Sequence, residues 1–191
     1  MILPTPTEDH LIVDLDMHMQ GVDRDSQRRK AYRWENDYFG TKGKVKIMSK
    51  READNMIAEI FSAHGLPVPV IKHMRGRGKC CWRAGFDFGD RRGTVLPMIR
   101  LRDWGLNPIV ILHEVAHGLN TYADYHRAGH GAEWLAIYID LLGKYTEYDA
   151  RLLEISARKA GLKVAKIEES DAEFQGFIDL DMSSLELLAN Q

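Results

Sequence analysis

Residues 109–134 read IVILHEVAHGLNTYADYHRAGHGAEW, and this stretch decides the fold. Within it His113 and His117 are four residues apart, with Glu114 beside the first. On a helix this spacing places both imidazoles on one face, with their Cβ atoms about 5–6 Å apart. Two neutral imidazoles at that separation can bind one Zn²⁺, and Glu114 would accept a proton from a water molecule on the metal. The HExxH pattern therefore predicts a zinc-dependent hydrolase, most simply a peptidase.

The residues around this motif favour a buried helix. Asn107 is an N-cap residue type, and Pro108 suits the first helical position. The apolar residues that follow cover most sides of the helix: Ile109, Val110, Ile111, Leu112, Val115, Ala116 and Leu119. Polar side chains are costly in such surroundings unless they are paired or bind an ion. This cost favours a metal site over the alternative of hydrogen-bonded core histidines.

A catalytic zinc site needs a third protein ligand and leaves its fourth position to water. The metzincin spacing would need a histidine at position 123, which is Ala123. His126 and His130 both follow, with Asp124 and Glu133 as acidic alternatives. His130 directly precedes a second apolar helical run, and a ligand at the start of a packed helix is held more rigidly than one in a loop. We therefore predict that His130 is the third ligand.

HEVAH followed by GHGAEW at 129–134 resembles the SprT-like metallopeptidases, which include the Spartan proteases. Their pattern is HExxH, a short variable loop and then His-Gly-x-x-aromatic. The resemblance is strongest over 106–142, and it implies zinc ligands at His113, His117 and His130 with Glu114 as the catalytic glutamate. The Cys-rich zinc ribbon of many bacterial SprT-type proteins has no counterpart here. The chain also resembles uncharacterised metallohydrolases of actinobacteria and their phages, a likeness that implies little about the substrate.

The composition is that of an ordinary globular chain, since 45% of the 191 residues are hydrophobic and 28% are charged. This length fits a single domain with a substantial core. No apolar run approaches the roughly 18 residues that span a bilayer, so no membrane partner is expected. The amino-terminal MILPTPTEDH does not resemble a signal peptide, and the adjacent Cys80 and Cys81 form neither a disulfide framework nor a CxxC knuckle. A cytoplasmic location is therefore expected.

Charge is unevenly distributed along the chain. Residues 166–191 hold one Lys against seven acidic residues, a net charge of −6 within a total of −2, so the remainder carries about +4. We predict a basic and aromatic extension at 1–46 that packs on the core, a metallopeptidase core at 47–165 and an acidic tail at 166–191. The resemblance to SprT-like peptidases implies a protein or peptide substrate on or near DNA. The basic body agrees with this expectation, whereas the overall net charge of −2 weakens it.

The order of elements predicts an α+β, zincin-like fold. It comprises a small three-stranded sheet, the HExxH active-site helix and a second metal-bearing helix. Ser49 and Glu52 form a capping box at the start of an amphipathic helix that Gly65 ends. Strands are predicted at 67–74, 80–88 and 94–103, with a further one at 11–20, and helices at 26–39, 134–142 and 148–162. The arginines and aromatic residues of 26–39 could instead bind nucleic acid.

Pro97 suggests that 94–103 is an edge strand, which makes it the best candidate for pairing with an extended substrate. Four side chains are candidate hydrogen-bond donors to the oxyanion: Tyr122, Tyr125, His126 and Tyr138. Three carboxylates are candidates to orient the histidine ligands: Asp124, Glu133 and Asp140.

Three alternatives to the SprT-like peptidase remain. One is a regulatory HExxH peptidase of another family, in which Glu133 replaces His130 on the metal. Another is a non-catalytic zinc-containing module that binds nucleic acid, with a fourth protein ligand such as His126. The last is a phage interaction protein without catalysis. The sequence does not indicate an oligomeric state.

Overall fold

The computed structural model describes residues 25–40, 47–87 and 94–166. The predicted strand at 11–20 and residues 167–191 of the predicted acidic tail lie outside this described part. The division into regions at 1–46, 47–165 and 166–191 stays a prediction.

Five helices are described: α1 (Arg28–Phe39), α2 (Lys50–Ala63), α3 (Pro108–Ala123), α4 (Ala132–Tyr145) and α5 (Ala150–Lys159). They agree in position with the predicted helices, and 26–39 is helical as expected. None of the described helices is both long enough and apolar enough to cross a membrane.

Two helix starts follow the local signals of the sequence. The Ser49 hydroxyl accepts the Glu52 N–H at 3.2 Å, and a Glu52 carboxylate oxygen accepts the Ser49 N–H at 2.7 Å, so the capping box is confirmed. Gly65 follows α2 with a φ of +64°, a conformation that glycine adopts without strain. At α3 the Asn107 side chain accepts the Val110 N–H at 3.1 Å. These contacts begin the helix that carries His113 and His117 at the predicted place.

Five short strands are described: β1 (Val70–Met74), β2 (Cys81–Arg83), β3 (Phe86–Asp87), β4 (Thr94–Val95) and β5 (Met98–Arg102). The main sheet has the order β1-β5-β2, with β1 parallel and β2 antiparallel to β5, while β3 and β4 pair separately. The predicted continuous strands at 80–88 and 94–103 are therefore each divided, since β2 and β3 belong to different sheets, as do β4 and β5.

Strand β5 is the central strand of the main sheet. Its Ile99 pairs with Ile71 on one side and with Trp82 on the other. The prediction that 94–103 forms an edge strand, and with it the predicted substrate-pairing edge, is therefore wrong. Pro97 precedes the paired residues, so its missing N–H costs no ladder bond, and its carbonyl accepts the Val70 N–H at 2.8 Å. The edges of this sheet belong to β1 and β2.

The hydrophobic core lies between the sheet and the helices. Helix α3 packs against α4, α2, β2 and β5. Helix α1 contributes Ala31, Trp34 and Phe39 to the same buried cluster, so the described residues form one α+β domain. In α5, Leu153 is buried in the core, whereas its neighbour Leu152 is 57% exposed.

Candidate metal centre

Three histidines meet where α3 and the start of α4 pack together. His113 and His117 lie on successive turns of α3, and their Nε2 atoms are 3.1 Å apart. The candidate ligand atoms of His113, His117 and His130 all lie within 4.8 Å of one another. Two imidazole nitrogens on one tetrahedral Zn²⁺ are about 3.3 Å apart, as follows from Zn–N distances of about 2.0–2.1 Å. The three side chains could therefore hold a metal ion with little movement.

His130 is placed differently from the other candidate third ligands. It is 5% exposed, and its Nε2 is a buried atom without a hydrogen-bond partner among the described residues. Leaving such an atom unpaired costs about 1–3 kcal/mol, which a metal–ligand bond would offset. His126 and Glu133 are exposed, and neither belongs to the group that could hold an ion.

The other ring nitrogen of each histidine is hydrogen-bonded. A Glu35 carboxylate oxygen lies 2.8 Å from Nδ1 of His113, and an Asp25 carboxylate oxygen lies 2.7 Å from Nδ1 of His130. The backbone of Gly129 provides a hydrogen bond to His117. A partner at Nδ1 fixes the ring and the tautomer and leaves Nε2 as the metal-binding atom of His113 and His130. This arrangement is typical of histidines that bind metals.

These two carboxylates are not the predicted ones. Among the predicted residues, Asp124 accepts the His126 N–H at 2.9 Å, Asp140 pairs with Lys144 at 2.8 Å, and Glu133 is exposed. Sequence reasoning missed Glu35 and Asp25. For Glu35 a signal existed, because it lies on the apolar face of α1 formed by Ala31, Trp34 and Phe39, where a carboxylate is costly without a partner. Asp25 precedes the helix and carries no such signal.

The loop that presents His130 is held by hydrogen bonds from distant parts of the chain. The Gln27 amide donates to the carbonyls of His130 at 3.4 Å and Lys163 at 3.3 Å, and its oxygen accepts the Lys163 N–H. The Asn120 amide donates to the Ala128 carbonyl at 3.2 Å. Gln27 and Asn120 are both buried, so these bonds are shielded from water. The start of α1 and the segment after α5 thus help to position the predicted third ligand.

Glu114 is buried beside the histidines and touches the edge of the sheet. One of its oxygens accepts the Trp82 N–H of β2 at 2.6 Å. Burial raises the pKa of Glu114, and this outweighs the lowering by His113 and by the Trp82 N–H. Glu114 therefore lies next to the cluster, fixed by one oxygen.

Burial and neighbouring charges act differently on the three histidines and their partners. Burial, followed by electrostatic repulsion from neighbouring side chains, holds the pKa of His117 well below its usual value, which favours the neutral ring. Burial also lowers the pKa of His113, but the Glu35 charge and hydrogen bond outweigh it and raise that pKa. Burial raises the pKa of Asp25, whereas its hydrogen bond and attraction to His130 produce a net lowering. The Glu35 carboxylate thus favours the protonated form of the His113 ring, and the interaction with His130 favours the ionised form of Asp25.

The predicted oxyanion donors differ in their availability. Tyr138 is fully buried and donates its hydroxyl to the Ile109 carbonyl at 3.2 Å. Tyr122 packs its ring against Phe61 and Trp82, whereas His126 is exposed in the loop and contacts Tyr125.

Tyr32 of α1 lies against the cluster, although sequence reasoning did not select it. Its ring centroid is 5.6 Å from that of His113 and 5.2 Å from that of His130. No local pattern links a tyrosine in the basic helix to histidines about 80 or more positions away.

In comparisons with protein-family models, curated proteins and solved structures, nothing matches this chain.

Proposed function

We propose that this chain is a zinc-dependent metallopeptidase of the SprT-like kind with a zincin-like fold. His113, His117 and His130 bind the ion, and Glu114 is the catalytic residue. The observation that carries the proposal is the convergence of three imidazoles beside one buried glutamate. The sequence motif HExxH and the His-Gly-x-x-Trp continuation agree with it.

The donor set fits zinc. Imidazole nitrogens suit a borderline metal such as Zn²⁺, whereas Mg²⁺ and Ca²⁺ prefer oxygen. Among the described residues the group that could hold an ion contains three side chains, which leaves a fourth position for water or substrate. A structural zinc site would use four protein ligands, so three ligands favour catalysis. Zinc in this position supplies a Lewis acid that polarises a carbonyl and lowers the pKa of water.

Glu114 is suited to proton transfer. The Trp82 N–H holds one oxygen of its carboxylate at 2.6 Å, which fixes the side chain and leaves the second oxygen for a proton. As general base it takes a proton from the attacking water, and it then delivers a proton to the leaving amine. Strand β2, which carries Trp82, ends the main sheet beside Glu114 and gives an extended peptide a backbone edge to approach.

The Glu114→Gln variant tests the proposal against an unfolded protein substrate carrying a quenched fluorophore. We expect zinc content equal to that of the unchanged protein and hydrolysis slower by about 10²-fold or more, the usual contribution of a general base. Glu133→Gln is the matched control and should retain both zinc and activity. Loss of zinc in this control would favour the peptidase with an acidic third ligand. No cleavage by the zinc-loaded unchanged protein would contradict the peptidase proposal.

The outer face of the main sheet supports a second proposal, that the substrate protein is bound to DNA. Ile99 and Leu101 of β5 are buried towards the helices, so the alternate residues occupy the opposite, outer face. The cations on this outer face are Lys72, Arg83, Arg100 and Arg102, and the strands β1, β2 and β5 contain no acidic residue. Arg102 also donates to the Arg75 carbonyl, which holds the basic loop 75–79 next to this face. Such a positively charged surface is suited to bind the phosphate groups of DNA.

A double variant, Lys72→Glu with Arg100→Glu, tests this surface. These residues are neighbours in the register of β1 and β5. We expect binding to single-stranded and duplex DNA at low salt to weaken roughly tenfold or more, and to fall further at moderate salt. Lys50→Glu with Lys159→Glu, both exposed on helices, is the charge-matched control. No affinity of the unchanged protein at low salt would contradict the DNA proposal.

A further inference from the structure

One face of α1 is turned towards the metal centre. Arg28, Tyr32 and Glu35 occupy positions i, i+4 and i+7 of this helix, and residues at this spacing share one face. Glu35 reaches Nδ1 of His113, which fixes the direction of the whole face. Arg28 and Tyr32 are therefore brought beside the histidines, although neither binds a ring nitrogen.

Tyr32 lies between the cluster and the solvent. Its ring is nearly parallel to that of His113, with an interplanar angle of 15°, and it is tilted by 55° against His130. Tyr32 is 41% exposed, whereas His113 and Glu114 are each 6% exposed. Tyr32 therefore places a partly exposed phenol beside two buried histidines.

Arg28 is in turn close to the hydroxyl of Tyr32. Its guanidinium carbon is 5.9 Å from the centroid of the tyrosine ring, close enough for a cation–π contact. The same hydroxyl lies within electrostatic range of the Glu114 carboxylate. The phenol thus has a guanidinium on one side and the rings of two predicted metal ligands on the other.

A guanidinium at this place needs an explanation. Arg28 is a permanent positive charge on the face of α1 that is turned towards the three histidines, so it opposes binding of a cation there. The position of the Arg28 guanidinium becomes favourable if negative charge develops at the metal centre during the reaction. Peptide hydrolysis develops such charge on the carbonyl oxygen, and hydrogen-bond donors oriented in advance stabilise it.

We propose that Tyr32 is a catalytic residue, whose hydroxyl donates a hydrogen bond to the scissile carbonyl oxygen as that oxygen becomes negative. Arg28 is a positioning residue that holds and polarises this hydroxyl. The proposal rests on the metallopeptidase function proposed above. Tyr32 keeps its proton throughout. The water oxygen bonds to the carbonyl carbon, the C–N bond breaks, and Glu114 carries the proton from the water to the amine.

Tyr32→Phe isolates the hydroxyl, because the phenyl ring keeps the stacking on His113 and the tilted contact with His130. We expect unchanged zinc content, KM within about twofold and kcat lower by about 100-fold, the usual effect of removing one oxyanion donor. Arg28→Gln should lower kcat by a smaller factor, about tenfold. Tyr38→Phe is the matched control on the same helix, since Tyr38 contacts Trp34, Phe39 and Tyr148, and it should behave as the unchanged protein.

Binding of a peptide phosphonamidate to the zinc-loaded protein gives a second readout that does not depend on turnover. This tetrahedral anion mimics the charged oxygen, so calorimetry should show that Tyr32→Phe weakens its binding by a factor similar to the loss in kcat. Binding of the uncharged amide peptide should be unchanged.

Several results would overturn the proposal. Tyr32→Phe with full activity and full phosphonamidate affinity would remove Tyr32 from the reaction and leave the peptidase intact. Loss of zinc in this variant would show a structural role. A loss that appears in Tyr122→Phe instead would assign the donor to α3. If the unchanged zinc-loaded protein cleaves no peptide, both the peptidase function and the role of Tyr32 are wrong.

Discussion

A carboxylate oxygen of Glu35 lies 2.8 Å from Nδ1 of His113, although the two residues are 78 positions apart in the chain. Both side chains are largely buried, with exposures of 11% and 8%. Water competes poorly for such a bond, and the carboxylate fixes the ring of a predicted metal ligand. Helix α1 thus takes part directly in the candidate metal centre.

Glu35→Ala should weaken zinc binding without abolishing it. The His113 ring loses the acceptor at Nδ1 that orients it, and removal of such partners usually costs 10- to 100-fold in metal affinity. Competition with a chromophoric chelator measures the dissociation constant. Glu154→Ala is the control, because Glu154 pairs with Arg158 at the surface of α5. Equal affinities of all three proteins would show that the hydrogen bond does not support the metal.

Zinc removal should destabilise the fold. A ligand that binds only the native state stabilises it by about 2.7 kcal/mol at 100 times its dissociation constant, which corresponds to roughly 5–10 °C in Tm for a chain of this size. Calorimetry with zinc and with a chelator measures the shift. His130→Ala should lose most of the shift, and His126→Ala should keep it, because His126 is exposed and outside the cluster. The reverse result would make His126 the third ligand.

Gly118→Ala should destabilise the protein even though alanine favours helices. The propensity gain is at most about 1 kcal/mol. A Cβ at position 118 would lie 2.6 Å from Cζ of Phe61 and 3.1 Å from Cζ3 of Trp82, and overpacking of this kind costs about 1–3 kcal/mol. Phe61 is fully buried and has little room to move. Urea unfolding should therefore show a net loss of about 1–2 kcal/mol, whereas a more stable variant would contradict the tight contact.

The Cys80 thiol should make stability fall with pH in the alkaline range. Burial raises the pKa of Cys80 from 9.0 to about 11. The unfolded thiol ionises first as the pH rises, so the stabilising contribution is complete below about pH 9 and is lost as the pH rises to about 11.

Urea unfolding at pH 8, 9 and 10 measures this contribution. The unchanged protein should lose up to about 1 kcal/mol more than Cys80→Ala over this range. The comparison leaves Cys81 in place in both proteins, so its ionisation cancels. Identical slopes would show that Cys80 ionises normally in the folded state.

Contacts between near neighbours were predictable from the sequence. The capping box of Ser49 and Glu52, the cap at Asn107 and the shared face of His113 and His117 all depend on residues within four positions of one another. Helix geometry determines such contacts whatever the rest of the chain does. The start of α3 and the pairing of its two histidines therefore followed from the local pattern.

The choice among distant partners was decided by tertiary structure. Asp25 and Glu35 reach rings that are 105 and 78 positions away, and Tyr32 comes against the cluster only because α1 packs on the core. The central position of β5 in the sheet likewise depends on its pairing with β1 and β2. The presence of Pro97 in the sequence did not predict this pairing.

The pair His126 and His130 shows what the sequence predicted about the third ligand and what the tertiary structure added. They are four residues apart in one loop, and the sequence favoured His130 because it directly precedes a second helical run and begins the His-Gly-x-x-Trp pattern. Packing buries His130 and leaves its Nε2 without a partner among the described residues, while His126 stays exposed. The motif by itself determined that a third ligand should follow α3. In the folded chain, the His130 ring donates a hydrogen bond to Asp25 and the His130 carbonyl accepts one from Gln27, and these distant partners hold His130 facing the other two histidines.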